Sequence, residues 1–126
     1  MSLIEKAWGT TEALIELPTF SQHRLQIARG GYCSIHFHER KTQVLVVLEG
    51  RLLLRLFDPC GRPLHVESLE PGAWAMVVAR LRHQFIAEEP SVAIECYFPA
   101  TPADRVDEHD IVRLSIGGMN EADCES

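Results

Sequence analysis

From residue 23 to residue 98 the sequence is a succession of short apolar-rich runs, each closed by turn-forming residues, and this punctuation restricts the chain to few folds. "HRLQIA" (23–28) ends at Gly30-Gly31, "YCSIHFH" (32–38) at the charged stretch "ERKT", and "QVLVVLEG" (43–50) at its own glycine. "RLLLRLF" (51–57) meets Asp58, Pro59 and Gly61, and "LHVESL" (64–69) meets Glu70-Pro71-Gly72, both with the chemistry of tight turns. "AWAMVV" (73–78), "HQFIA" (83–87) and "SVAIECYF" (91–98) complete the series. Strand-like runs recurring roughly every 8–12 residues predict an antiparallel sandwich or barrel. The one helix expected is short, around "LIEKAW" (3–8). A chain of 126 residues has room for one domain, 1–126. Its barrel core is expected at about 22–99, with an N-terminal arm (1–21) and a polar tail (100–126) whose end, "MNEADCES" (119–126), should fray.

Charge narrows the partners. Twelve Lys and Arg against eighteen Asp and Glu leave a net charge of -6, which argues against nucleic acid and anionic membrane surfaces. No apolar run approaches the roughly 18 residues of a membrane span, and "MSLIEKAWGTTEA" lacks the apolar stretch of a signal peptide. A cytoplasmic location is the resulting expectation. The four cysteines form no C-x-x-C pair and are expected as free thiols.

Two histidines stand one residue apart in "IHFHERKTQ" (35–43). Residues two apart in a strand point to one face, so His36 and His38 should be neighbours, with Ser34 and Tyr32 on the same side. A turn at "ERKT" returns the chain at Gln43, and His83 opens a later strand that barrel closure can bring to the same centre. Three imidazoles and one amide oxygen or carboxylate make a metal site with an open position. The alternatives are plainer: surface histidines on a half-buried strand, Gln43 bonded to the "ERKT" turn, and His83 as a hydrogen-bonded interior residue.

Spacing adds to this reading. Gly30, five residues, His36, one residue, His38, four residues, Gln43, six residues and Gly50 resemble the first cupin motif, with Gln where cupins usually carry Glu. Pro71-Gly72 followed eleven residues later by His83 resembles the second. The resemblance implies an all-β double-stranded β-helix, jelly-roll-like, with His36, His38, Gln43 and His83 around a divalent metal. Trp8-Gly9 and Asp110-Ile111-Val112-Arg113 look like small cupins related to the C-terminal domain of type II mannose-6-phosphate isomerases. That likeness implies a sugar or sugar phosphate as ligand and a homodimer. The chain departs from it after Leu114: "SIGGMNE" stands where relatives continue to an Asp-x-Tyr-Gly-Arg ending, so a Tyr and an Arg are missing.

A shell of three histidines and a glutamine neutralises none of the ion's charge. It suits Zn, Ni or Fe better than Mn, although all four remain candidates. Glu95 is the candidate general base, since the alternation in "SVAIECYF" sets it apart from Val92, Ile94, Cys96 and Phe98. The alternative for it is an ion pair with Arg51 or Arg55. Arg80 and Arg82, before His83, are candidates for binding a substrate anion, or are simply solvated. His65 should be exposed, and Trp74 should pack in the core or at a subunit contact. "VLVVL" and "RLLLRL" carry more apolar surface than one barrel interior needs, which also points to a covered outer face in a dimer. Beside the isomerase-like reading stand a non-catalytic module holding a metabolite or metal and, ranked lower for want of a carboxylate ligand, an iron-dependent dioxygenase.

Overall fold

The computed structural model describes residues 3–120. The described residues form two antiparallel sheets, and among them no helix is long and apolar enough to cross a membrane. In chain order the strands are β1 (Leu3–Lys6), β2 (Gly9–Leu17), β3 (Phe20–Ile27), β4 (Gly31–Tyr32), β5 (His36–Phe37), β6 (Lys41–Glu49) and β7 (Leu52–Phe57). They continue as β8 (Pro63–Leu69), β9 (Trp74–Val77), β10 (Arg82–Ala87), β11 (Ser91–Pro99), β12 (Val112–Arg113) and β13 (Gly118–Met119). One sheet runs β1-β2-β3-β11-β6-β9; the other runs β12-β5-β10-β4-β13, with β7 joining β10 to β8. This is the double-stranded β-helix that the turn spacing and motifs anticipated.

Inward alternation builds the core from both sheets. Leu25, Ile27, Leu45, Val47, Val77 and Ala93 come from one, and Leu52, Leu54, Phe85 and Ala87 from the other. Gly50 turns β6 into β7 at φ 83°, where any Cβ would collide with the Pro90 carbonyl and the Ser91 hydroxyl. The outer face of β6 is less covered than its apolar run suggested. Val44 and Val46 are half-buried and Leu48 is exposed.

Four expectations change. "LIEKAW" is not a helix: Leu3–Lys6 pair with β2 from Leu3↔Glu12 to Lys6↔Gly9. A single helical turn has too few internal hydrogen bonds to compete with such a ladder. The 32–38 run is not one strand, because it breaks at residues 33–35. There the N–H of Ile35 turns to the Ser115 hydroxyl, and its carbonyl accepts from Leu114. Trp74 does not enter the core. It lies 61% exposed, opposite Val46 on the outer face. Finally, residues 119–120 are held, with Met119 in register with Gly31 and Asn120 donating to the Gly30 carbonyl at 2.7 Å; the rest of the expected frayed end, 121–126 with Cys124, lies outside the described residues. Cys33, Cys60 and Cys96 are free thiols.

Candidate metal centre

His83, the second residue of β10, lies directly opposite His36 of β5, and His38 immediately follows that strand. All three are buried, and each offers a ring nitrogen such that the three lie within 4.8 Å of one another. Their ring centroids are 4.3 Å (His36 to His83), 5.1 Å (His36 to His38) and 5.4 Å (His38 to His83) apart. Among the described residues this is the one such group.

The tautomers follow from the neighbours. Nδ1 of His36 lies 2.7 Å from the Ser34 carbonyl, that of His38 2.7 Å from the Asp110 carbonyl, and that of His83 2.8 Å from the Leu81 carbonyl. A carbonyl only accepts, so each Nδ1 carries the proton and each Nε2 keeps a free lone pair. Nε2 of His38 and of His83 is buried with no hydrogen-bond partner. Burial also pushes the imidazoles down, His36 and His38 to about 4 and His83 to about 3, so the rings stay neutral at physiological pH. Neutral, oriented, unsatisfied Nε2 atoms are what a divalent ion requires. The donor set fits the metal.

Gln43 and Glu95 reach the same interior from the other sheet. Gln43 is 3% exposed and donates through Nε2 to Glu95 Oε2 at 2.8 Å. Its Oε1 is buried without a partner. The bond to the "ERKT" turn is thus replaced by one to Glu95, which leaves an amide oxygen for a ligand or an ion. Tyr97 donates its hydroxyl to the same Glu95 oxygen at 3.1 Å. Burial raises the Glu95 carboxyl above its ordinary value, although the Tyr97 and Gln43 bonds and the Lys41 charge oppose this. No ion pair with Arg51 or Arg55 forms: Arg51 binds Glu88 at 2.9 Å and Arg55 binds Gln84 at 3.0 Å.

A cavity of about 940 Å³ contains the three histidines, Gln43 and Glu95. Arg80 and Arg82 do not line it. Arg80 is exposed in the turn before β10, and the Arg82 guanidinium lies 5.7 Å from the Phe37 ring centroid. The cations that do line it are Lys6, Lys41 and Arg113. Lys41 and His23 are among the lining residues that the sequence did not single out. Lys41, within the charge run "ERKT", is 4% exposed, donates to the Asp107 carbonyl at 2.9 Å and sits 4.2 Å from the Tyr97 ring centroid. His23, opposite Glu95 on β3, has a buried unpartnered Nδ1 3.9 Å from Glu95 Oε1. Alternation carried a signal for both, since Lys41 shares a face with Gln43 and Leu45, and His23 with Leu25 and Ile27.

Solved structures share this architecture. An oxalate decarboxylase variant from Bacillus subtilis (OxdC) superposes with a TM-score of 0.74 at 13% identity over 90% of this chain and 30% of that one. A second structure of that decarboxylase, described for its Mn(II) centres, gives 0.73 at 13% identity. KdgF from Halomonas sp. gives 0.68 at 21% identity, over 81% of this chain and 89% of that one. The chain therefore spans about a third of the decarboxylase's length. No curated protein matches the sequence. The family model described as Cupin matches residues 12–113, most of the chain, and the protein belongs to the cupin family.

Proposed function

We propose that the protein is a metal-dependent cupin that takes a sugar or sugar phosphate into its central cavity and moves a proton on it through Glu95, in the manner of mannose-6-phosphate isomerases. The observation that carries this reading is the Gln43–Glu95 pair in the cavity that holds the three histidines. A divalent ion held by His36, His38, His83 and Gln43 would polarise a substrate oxygen as a Lewis acid. The chain's own groups do the rest. Gln43 and Tyr97 both grip Glu95 Oε2, which fixes the carboxylate and leaves Oε1, facing His23, as the proton acceptor. A carboxyl raised by burial is a better base near neutral pH than an exposed one. In this reading Lys41 and Arg113 take the place assigned in the sequence to Arg80 and Arg82 as cations for an anionic substituent. The outer face bearing Trp74 and Met76, 61% and 51% exposed, is the surface proposed to close a homodimer.

A second reading, a non-catalytic binding module, is favoured by one observation: "SIGGMNE" lacks the Tyr and Arg of the isomerase ending. Metal-loaded protein in deuterated water separates the two. The isomerase reading expects exchange of the C2 proton of an aldose phosphate, suppressed in Glu95→Gln while metal and ligand binding persist. Binding seen by thermal shift, without exchange across hexose and pentose phosphates, would replace it with the binding module.

A further inference from the structure

The Asp110-Ile111-Val112-Arg113 segment brings Arg113 to the cavity, and its first residue also meets the metal centre. His36 and His83 are held by carbonyls two residues upstream on their own segments, Ser34 and Leu81. His38 is held from 72 residues away, by the carbonyl of Asp110. The side chain of the same residue fixes that carbonyl in place. One carboxylate oxygen accepts the Glu39 N–H at 2.8 Å and the other accepts the Arg40 N–H at 3.0 Å. Asp110 thus brackets His38, its backbone on the ring and its buried carboxylate on the two amides that follow.

Neighbouring contacts fasten the segment to the same stretch of chain. Lys41 donates to the Asp107 carbonyl at 2.9 Å, and Leu114 donates to the Ile35 carbonyl at 2.8 Å. Ser115 accepts the Ile35 N–H at 2.8 Å, and β12 places Arg113 opposite His36. Without this docking the His38 Nδ1 proton would lose its acceptor, and neither the ring's orientation nor its tautomer would be set.

We infer that Asp110 is a positioning residue for the metal centre, and that docking of the 107–115 segment and metal binding are linked. The inference rests on the metal-centre reading and goes beyond it. Linkage is reciprocal: the factor by which docking raises metal affinity is the factor by which metal favours docking.

The test uses the full chain with Zn²⁺ as probe. Asp110→Ala should weaken Zn²⁺ binding, measured by chelator competition, by about 10–100-fold, the range of lost outer-shell partners. Asp110→Asn should recover part of it, because the amide oxygen still accepts one N–H. Side-chain ¹⁵N correlation spectra should show His38 moving from the Nδ1–H tautomer to a mixture in Asp110→Ala, with His36 and His83 unchanged. A general loss of structure would not spare those two rings. Should Asp110→Ala fail to fold, hydrogen exchange of the wild type decides. Zn²⁺ should slow the Glu39, Arg40 and Leu114 amides more than those of β7. Unchanged affinity and tautomer in Asp110→Ala, or equal slowing in β7, overturns the linkage. A wild-type chain that binds no Zn²⁺, Ni²⁺ or Mn²⁺ overturns the metal-centre reading and this inference with it.

Discussion

The barrel interior has two halves built from the same strands. In one half β6 contributes Leu45 and Val47, β3 contributes Leu25 and Ile27, β10 contributes Phe85 and Ala87, and β11 contributes Ala93; all belong to one packed apolar cluster. Two residues along, on the same inward face, these strands present Gln43, His23, His83 and Glu95. The apolar half leaves no polar group to satisfy and stabilises the fold through burial. The polar half carries unpartnered buried atoms on His38, His83, Gln43 and His23, each a cost unless a ligand or ion meets it. One half supplies the stability that the other half spends on binding.

The sharpest way to break that division is to change each half separately. His36→Ala with His38→Ala should abolish retention of a divalent ion, by elemental analysis after desalting, while circular dichroism still reports a β fold. Stoichiometric metal in the double variant would sink the site. In the apolar half, Leu52→Ala, at a fully buried position, should cost about 2–5 kcal/mol in denaturant unfolding and leave metal stoichiometry in the folded fraction unchanged.

Acid should act on the polar half. The metal-free folded chain takes up protons on His36 and His38 only at about pH 4, and on His83 at about 3, whereas unfolded histidine takes one up near 6.5. Their contribution to stability is fully present above pH 6.5 and is lost as pH falls through 4. Glu95, raised by burial, opposes this, because its contribution falls as pH rises above the ordinary carboxylate value. The denaturation midpoint of metal-free protein should drop between pH 6.5 and 4, with a shallower drop in the His36→Ala, His38→Ala variant. Equal slopes would mean the imidazoles are not the buried neutral groups described.

The smallest effect concerns Gln43. Gln43→Glu adds a carboxylate that suits Mn²⁺, but it sets that charge against Glu95, which now sits 2.8 Å from the amide nitrogen. A larger gain in Mn²⁺ affinity is expected when Gln43→Glu is combined with Glu95→Gln, which restores the acid–amide pair in reverse. Calorimetric titration giving the single variant the greater gain would place Glu95 outside the pair.

What was legible in the sequence was local or periodic. The pairing of His36 with His38 followed from alternation, the inward face of Glu95 from Ala93 and Tyr97 beside it, and the sheets from the turn residues. Apart from His83, which the cupin spacing brought to the histidine pair, contacts between distant strands were not legible. Glu95 meets Gln43 across 52 residues, and charge alone pointed instead to Arg51 and Arg55, which pair with Glu88 and Gln84. Asp110 reaches Glu39 across 71 residues, and no spacing rule reports such a bond. Lys41 was hidden by composition, since a charge run reads as solvated turn while its alternation with Gln43 and Leu45 turns it inward. "LIEKAW" went wrong because its competitor, the β2 ladder, lies in residues with little strand periodicity of their own.

X-ray absorption at the Zn edge of the loaded protein tests the central claim most directly. The account predicts about one ion per chain, bound by three imidazole nitrogens at roughly 2.0–2.1 Å and at least one oxygen, with imidazole multiple scattering that disappears in His36→Ala with His38→Ala. A sulfur shell from the free cysteines, or fewer than two imidazoles, would contradict it.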